Sequence, residues 1–375
     1  MSGAVLGFVA ARARLGLSRA AAVSGSVLST ALDGAPGGAK SNPTNKGPGD
    51  AFVRRFSSIF GGHAQSTNEI LMVSPTAFEY NSAAAQDNHF MEAVVEAERL
   101  SARETVLREH DALREMLHEV VGCKVHVFDH SEDHGTPDAC FPNNWFSTHG
   151  GNEVEVSTLV TYPLKSENRR LERREDILSR ILSGDAYGKV VAMESHERGG
   201  RYLEGTGALV LDRANRVAYA ALSERCSREL CLEWAEALGY NEVVFFDATD
   251  EQGNPVYHTN VVMAVGTNVA VACTESVECP AQRGRLLGAL SRNHEVVEIT
   301  RGQMNSFCGN VLEVMDGSGR PCMVMSTQAH DAFTEAQRDA LRANLPGGLH
   351  HSPIDTLERI GGGGVRCTIA EIFRG

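Results

Sequence analysis

The chain lacks three features, and each absence removes a class of protein. It has no run of about 18 apolar residues, so we expect no transmembrane helix and no membrane partner. Its nine cysteines include no Cys-x-x-Cys pair, which argues against a zinc or disulfide framework and favours free thiols. A net charge of −13 leaves no basic surplus for nucleic acid. What remains is a globular protein able to bury a core.

Acidic residues are also absent before Asp33, in a stretch rich in Arg, Ser and Ala. That composition is typical of a mitochondrial or plastid transit peptide. A Gly/Pro/Asn-rich stretch follows over 34–50 and is predicted to be disordered. We therefore predict a targeting extension over 1–67, an organised domain over 68–375 and a location in the mitochondrial matrix, with the cytoplasm as the alternative.

A unit of two strands, a helix and a further strand recurs through the organised part. Its hairpin turns fall near residues 151, 213, 267 and 317, a spacing of about 50 to 60 residues that indicates a repeat architecture. Two helices, Ala83–Leu100 and Arg103–Val120, are predicted near the start. The final strand, "GVRCTIAEIF", joined to the first, "NEILMVSP", would complete a fifth unit and leave no open edge. We predict an α/β fold of five ββαβ units around a pseudo-fivefold axis, with two ordinary α/β domains as the alternative.

Polar and reactive residues stand directly before each hairpin. The segments are "PDACFPNN", "LEGTG", "YHTN", "FCGN" and "GGGGVRC". In a radial array, equivalent positions face one axis, so these side chains are expected to meet. Each residue alone reads as an ordinary structural one, but their joint recurrence favours a site. The set comprises Asp138, Asn143, Asn144, Glu204, His258, Asn260, Cys308, Asn310 and Cys367.

Three of these residues fit a nucleophilic mechanism. A thiolate attacks carbon once a base or cation has lowered its pKa, a His serves as acid and base, and a carboxylate orients the His. Cys367, His258 and Glu204 supply those groups. Cys308 is the rival nucleophile, but the glycines before Cys367 give access and free N–H groups.

At these residues the chain resembles the guanidino-group-modifying enzymes of the pentein fold, which include arginine deiminases, amidinotransferases and dimethylarginine hydrolases. "TPDACFPNNWFSTH", "YLEGTGALVLDR", "YHTNVVM" and "GGGGVRCTIAEIF" look most like the citrulline-utilisation hydrolase branch. The resemblance covers residues 68–375, which would make that part a pentein catalytic domain. It implies Cys367 as nucleophile, His258 as acid/base and Glu204 as its carboxylate partner. It also implies that no metal or organic cofactor is needed, and it leaves a homo-oligomer open.

Two positions depart from the deiminase pattern, because Asn144 and Asn260 stand where deiminases carry Asp. Carboxylates accept charge-assisted hydrogen bonds from a guanidinium, whereas an amide can also donate a hydrogen bond to a ureido oxygen. We therefore expect Asn144, Asn260 and Asn143 to bind a ureido group, next to Phe141. The last two substrate contacts are Asp138 for the α-amine and Arg225 for the carboxylate, with Arg169 and Arg170 as weaker candidates.

The sequence thus predicts a cysteine-dependent C–N hydrolase that takes citrulline to ornithine, ammonia and CO2. An arginine dihydrolase or arginine deiminase is the first alternative, and an amidinotransferase is the second. A pentein-fold binding protein without catalysis is the alternative from another class; the intact Cys, His and Glu argue against it.

Overall fold

The computed structural model describes residues 65–374, and no helix within them is long and apolar enough to cross a bilayer. The predicted targeting extension and its disordered stretch lie outside the described residues, apart from Gln65–Thr67. The strands of the described part are, in chain order, β1 (Glu69–Val73), β2 (Lys124–Phe128), β3 (Phe146–His149), β4 (Thr158–Thr161), β5 (Lys189–Ala192), β6 (Val210–Asp212), β7 (Val217–Ala221), β8 (Glu242–Phe246), β9 (Met263–Val265), β10 (Val269–Ala272), β11 (Glu295–Glu298), β12 (Leu312–Met315), β13 (Pro321–Ser326), β14 (Leu349–Ser352) and β15 (Ala370–Glu371).

The α-helices of the same part are short, apart from the first. They are α1 (Arg99–Glu115), α2 (Glu175–Ile181), α3 (Gly205–Ala208), α4 (Arg228–Leu238), α5 (Thr259–Val262), α6 (Pro280–Leu290), α7 (Arg301–Asn305), α8 (Thr327–Ala332), α9 (Glu335–Asn344) and α10 (Asp355–Gly361).

The strands of residues 65–374 form five sheets of three strands each, all with one pattern. The first strand pairs antiparallel with the second, and the second pairs parallel with the third, as in β3–β4–β5. The same pattern holds for β6–β7–β8, β9–β10–β11 and β12–β13–β14. The fifth sheet joins the two ends of the domain, because β15 runs antiparallel to β1 and β1 runs parallel to β2. The repeat and its closure by the last strand are therefore confirmed.

The first and middle strands of three sheets are buried along their whole length, whereas the third strand β5 is partly exposed. The buried strands are β3, β4, β6, β7, β9 and β10. Small and β-branched residues such as Ala and Val suit a strand that is covered on both faces. First strands of different sheets also contact one another, as β15 does with β3 and β9 does with β6 and β12. These contacts bring the beginnings of the sheets together, in agreement with the pentein pattern.

Two of the hairpin turns contain a side chain that accepts hydrogen bonds from backbone N–H groups of the same turn. Asp212 accepts from the Asn215 N–H at 3.0 Å, and Asp316 accepts from the N–H groups of Ser318 and Arg320 at 2.8 and 2.9 Å. Such short acidic side chains favour a turn because they replace a backbone acceptor. This local chemistry is why the turns could be placed from the sequence.

The predicted helix over 83–100 is wrong. Only two 3₁₀ turns, Ala84–Gln86 and Glu96–Glu98, precede α1 there. Asn81 accepts from the N–H of Ala83 at 3.2 Å, and Asn88 accepts from the N–H of Phe90 at 3.1 Å. Side chains that bond nearby backbone in this way compete with helix formation.

The prediction that Cys367 lies within a strand is also wrong. Cys367 lies on a single 3₁₀ turn, Val365–Thr368, and β15 begins only at Ala370. The Thr368 hydroxyl donates to the Val365 carbonyl at 2.8 Å and holds that turn. The strand is therefore short, and the thiol stands just before it.

Candidate active site

A short helical turn precedes the first strand of several sheets, and several candidate residues lie on these turns or directly before them. The 3₁₀ turn Pro142–Asn144 comes before β3, α3 before β6, α5 before β9 and the 3₁₀ turn Val365–Thr368 before β15. The turns contact one another: α3 touches both α5 and Pro142–Asn144, which in turn touches Val365–Thr368. The residues from distant parts of the sequence therefore come together, as the repeat predicted.

Cys367 is buried and accepts hydrogen bonds from two amides. Asn310 Nδ2 lies 3.2 Å from its Sγ, and Asn260 Nδ2 lies 3.4 Å from it. Burial raises the pKa of the Cys367 thiol, although both amides oppose this by stabilising the thiolate. The resting group is therefore a thiol, with two donors already in place for the thiolate.

His258 and Glu204 form a buried pair, with His258 Nε2 2.9 Å from Glu204 Oε2. Burial lowers the pKa of His258 despite the carboxylate, so the imidazole is neutral at rest. Burial alone would raise the pKa of Glu204, but the charge of Arg225 and the bond from His258 hold it well below its usual value. The ionised carboxylate of Glu204 thus fixes the neutral imidazole through Nε2, and Nδ1 is left free to accept a proton.

Arg225 is held by four partners. Its Nε lies 3.1 Å from both carboxylate oxygens of Asp87, its Nη2 donates to the Ala84 carbonyl at 2.6 Å, and its Nη1 lies 3.4 Å from Glu204 Oε2. The guanidinium also lies over the Tyr257 ring, 5.1 Å from its centre. In this state every nitrogen of Arg225 has a protein partner.

Arg169 forms a second buried cation cluster. It donates to Glu172 through Nε and Nη2 at 2.8 and 2.9 Å, and to Asn144 Oδ1 through Nη1 at 3.0 Å. Burial raises the pKa of Glu172 to about 7, even though Arg169 opposes this. Arg169 therefore fixes the orientation of the Asn144 amide, because a guanidinium can only donate.

Asp138 keeps one oxygen free. Its Oδ2 accepts from Asn81 Nδ2 at 2.8 Å, whereas its Oδ1 has no partner among the described residues. The side chain is buried, and burial raises the pKa of Asp138 although the nearby Arg169 opposes the shift. A buried oxygen without a partner is costly unless a ligand pairs with it.

The two asparagines before β3 differ. Asn144 Nδ2 has no partner in residues 65–374, and it lies 2.4 Å from the point that a Cβ on Gly207 would occupy. His258 Nδ1 lies 2.7 Å from the same point, so both atoms face the space that this glycine leaves open. Asn143 is buried with both amide atoms unpartnered, and its carbonyl accepts from the Thr206 hydroxyl at 3.3 Å.

The glycine run packs directly against the thiol. A Cβ on Gly363 would stand 3.2 Å from Cys367 Sγ, and Gly362 has a φ of +65°, a conformation that glycine adopts without strain. Tyr257 donates its hydroxyl proton to the Gly362 carbonyl. The glycines are therefore required by close approach and by backbone geometry.

A cavity of about 10 Å³ lies at the centre of these groups, roughly the space that one water needs. Most of the predicted residues line it: Asp138, Phe141, Asn144, Arg225, His258 and Cys367. Glu204 stands behind His258, Asn260 reaches Cys367 from outside the lining, and Asn143 does not line the cavity. An amino acid is larger than this space.

Other candidates are excluded by position. Cys308 lies outside the cavity, donates to the Ala329 carbonyl at 3.3 Å, and burial raises its pKa to about 12. Arg170 bonds the carbonyl groups of Leu164 and Lys165. Among the described residues, no cluster of three or more His, Cys, Asp or Glu side chains could hold a metal ion.

Comparison with known proteins identifies the family. Residues 74–374 match the sequence profile of the family described as "N,N dimethylarginine dimethylhydrolase, eukaryotic". The chain belongs to this dimethylarginine dimethylhydrolase family. It is therefore a hydrolase that acts on guanidino C–N bonds. No curated protein sequence matches the chain.

Solved structures share the fold of this family member. The N-terminal domain of ArgZ, an arginine dihydrolase from cyanobacteria, is 17% identical, with a TM-score of 0.61 over 82% of this chain and 98% of that one. AgrE, bound to ornithine and NAD+, is 17% identical at a TM-score of 0.62 over 82% of this chain, which matches only 39% of AgrE. A dimethylarginine dimethylaminohydrolase adduct with S-methyl-L-thiocitrulline is 16% identical at 0.53, over 81% and 98%. The pentein superfamily is confirmed; the citrulline-utilisation branch is not.

Sequence reasoning missed the residues that surround the predicted ones. Asp87 comes from the segment predicted as a helix, and Asn81 comes from the stretch just before it. Glu172 lies in a charged stretch whose ordinary interpretation is a solvated helix face. Tyr257 stands beside the predicted His258 and could have been suspected from that position alone.

Proposed function

We propose that the protein is an arginine dihydrolase that converts arginine and two waters into ornithine, two ammonia and CO2. Within the hydrolase activity of the family, this was the first alternative from the sequence. The neighbours ArgZ and AgrE support it, because ArgZ is described as an arginine dihydrolase and AgrE was crystallised with ornithine. Nothing in the comparisons supports citrulline as the preferred starting substrate.

The observation that carries the proposal is the fixed amide of Asn144. Its Oδ1 is occupied by Arg169, so the atom left free in the cavity is the donor Nδ2. A guanidinium offers only donors, and it leaves such a group unpaired. A ureido group offers an oxygen, so the free donor suits the product of a first hydrolysis and prepares the second.

The starting substrate follows from the thiol. Burial keeps Cys367 protonated. A neutral ligand does not lower the pKa of the thiol, whereas a cation beside it does, because the positive charge stabilises the thiolate. Arginine carries that cation and citrulline does not. The first turnover is therefore favoured for arginine, and the ureido product is then held by Asn144 and Asn260.

The steps use the side chains already described. Cys367 passes its proton to the neutral His258, the resulting thiolate attacks the guanidinium carbon, and the imidazolium of His258 protonates the departing ammonia. Water, deprotonated by His258, then cleaves the C–S bond and gives the ureido group. A second attack on that carbon releases the second ammonia, and hydrolysis gives a carbamate that loses CO2. Glu204 stabilises the imidazolium that forms in each step.

We assign the rest of the amino acid to the two buried clusters. The free oxygen of Asp138 accepts from the substrate α-amine. Arg225 pairs with the substrate carboxylate once Asp87 leaves it. Because the cavity is smaller than an amino acid, the segment that carries Asp87 opens as the substrate binds. Phe141 and Tyr257 cover the aliphatic chain.

A second candidate is hydrolysis of N-methylated arginine, which family membership favours. One experiment separates the two: the full chain is incubated with arginine, citrulline or dimethylarginine, and amine products are identified by mass spectrometry beside Cys367→Ala. Arginine dihydrolysis predicts ornithine with two ammonia per ornithine. Arrest at citrulline, or preferential release of dimethylamine, would overturn the proposal.

We further propose that residues 1–67 direct the catalytic domain, 68–375, to the mitochondrial matrix. The basic, acid-free composition before Asp33 supports this. A fluorescent protein carrying residues 1–67 tests it: mitochondrial fluorescence is expected, and diffuse cytoplasmic fluorescence would contradict the proposal.

A further inference from the structure

Glu358 is a buried carboxyl group that none of the proposed steps uses. It lies on α10, just before the glycine run, and its side chain is 1% exposed. Neither of its oxygens has a hydrogen-bond partner in the described part of the chain. A buried polar group without a partner is rare in a native protein and calls for a physical reason.

Asn310 also has a buried polar atom without a hydrogen-bond partner. Its Nδ2 donates to the Asn260 carbonyl at 2.9 Å and to Cys367 Sγ at 3.2 Å, so both of its protons are used. The amide cannot be turned around, because the Asn260 carbonyl only accepts. Asn310 Oδ1 is therefore an acceptor, and it too has no partner among residues 65–374.

The two unpartnered groups are neighbours across Gly364. A Cβ on Gly364 would stand 2.9 Å from Asn310 Oδ1 and 3.1 Å from Glu358 Oε1. The oxygens thus flank the same small space beside Gly364, and their separation is at most the sum of those two distances. An ionised carboxylate has no proton to give, but a neutral carboxylic acid has one.

The surroundings favour the neutral acid. Burial raises the pKa of Glu358 to about 8, and the charges of Asp355 and Glu109 reinforce this. The Ser326 hydroxyl at the end of β13 opposes the shift from nearby, although it makes no hydrogen bond of normal geometry to either oxygen of Glu358. The other titratable group that senses this carboxyl is the Cys308 thiol. Glu109 lies on α1 and accepts from the N–H groups at the start of α10, so it holds the helix that carries Glu358.

The turn that carries Asn310 is under strain, which supports a dedicated role. Phe307 has a φ of +58°, a region that a bulky residue rarely occupies. A Cβ on Gly309 would lie 2.1 Å from the Val261 carbonyl oxygen, so this turn packs tightly against α5. The backbone is thus forced into the one arrangement that presents Asn310 to the thiol.

We propose that Glu358 is a positioning residue that, as a neutral acid, donates a hydrogen bond toward Asn310 Oδ1 and so keeps Asn310 Nδ2 on Cys367 Sγ. The inference rests on the proposed role of Cys367 as nucleophile. A proton on the Oδ1 side also strengthens Nδ2 as a donor, because linked hydrogen bonds polarise one another. When Glu358 ionises, the donor disappears and a negative charge faces Oδ1, so the thiolate loses support.

The test measures the thiol itself and needs no substrate. The full chain is alkylated with iodoacetamide at neutral and alkaline pH, and peptide mapping separates Cys367 from the exposed Cys279. Glu358→Met removes the donor but keeps the volume. It is expected to slow alkylation of Cys367 about tenfold at neutral pH, the effect of one lost hydrogen bond. Glu358→Gln supplies a permanent donor and is expected to rescue that rate.

The pH dependence distinguishes positioning from packing. The pH profile of Cys367 alkylation in the parent is expected to show an ionisation near pH 8, where Glu358 loses its proton and the thiolate loses a stabilising hydrogen bond. Glu358→Gln is expected to lack this ionisation. Asp355→Asn is the matched control: it removes a neighbouring charge, keeps the donor, and moves that ionisation to lower pH. Equal rates for the Gln and Met variants, or an unchanged alkaline ionisation in Glu358→Gln, would overturn the proposal. Because arginine turnover is assayed separately, a wrong substrate assignment leaves this result intact.

Discussion

With the proposed arginine dihydrolase activity, replacing Asn144 by Asp should stop the reaction after the first of its two hydrolyses. The side chain keeps its size, and Arg169, 3.0 Å from Oδ1, pairs with the new carboxylate, so the fold should survive. The cavity then presents an acceptor where it presented a donor. An acceptor suits the guanidinium of arginine and leaves the oxygen of the ureido intermediate without its hydrogen bond.

The loss can be estimated from the removal of one donor to a developing oxyanion, which costs about 100- to 1,000-fold in rate. The second hydrolysis should slow by that factor, while arginine is still consumed. The assay follows citrulline and ornithine together over time, and citrulline should accumulate. Asn241→Asp, which adds the same charge at an exposed position outside the cavity lining, is the control. Ornithine formed at the parent's ratio by a folded Asn144→Asp would refute the reasoning.

Three further variants test other parts of the account. Gly207→Ala would place a Cβ 2.4 Å from Asn144 Nδ2, so kcat should fall by about 100-fold or more with a near-normal melting curve; retained turnover would mean that this space is not used. Asp87→Asn removes one of the two carboxylates that bind Arg225, so hydrogen exchange over 83–92 should accelerate and the KM for arginine should fall; unchanged exchange would argue against opening there. Burial alone would raise the pKa of Glu153, but Arg213 at 2.6 Å and His149 at 2.7 Å lower it to about 2, and this depressed value stabilises the fold above the unfolded pKa. Glu153→Gln should therefore lose about 3 kcal/mol of unfolding free energy at neutral pH, a difference that shrinks as pH falls from about 4.5 toward 2; a constant difference would contradict it.

The sequence predicted the fold because the repeat leaves local signals. Asp212 and Asp316 mark their turns by bonding to nearby backbone, and the strands between them are continuous runs of apolar residues. The meeting of Cys367, His258 and Glu204 followed from that repeat, since equivalent positions in each unit face one region. The geometry brings His258 and Glu204 into contact and places Cys367 on the same cavity.

What the sequence could not predict depends on contacts between distant residues. Asp87 bonds Arg225, which lies 138 residues further along the chain, and the sequence around either residue does not indicate this contact. The environment of Glu358 is set by α1, β13 and the turn of Asn310, so its lack of partners is invisible in the sequence. Cys367 was placed on a strand because the apolar residues around it alternate, whereas a hydroxyl bond from Thr368 folds them into a turn.

The central claim is that hydrolysis proceeds through a covalent bond to Cys367. Acid-quenching the full chain during arginine turnover, followed by peptide mapping, tests it most directly. The account predicts a substrate-derived adduct on the peptide that contains Cys367. Cys367→Ala should show neither this adduct nor ornithine production. An unmodified Cys367 during turnover, or an adduct on Cys308 instead, would contradict it.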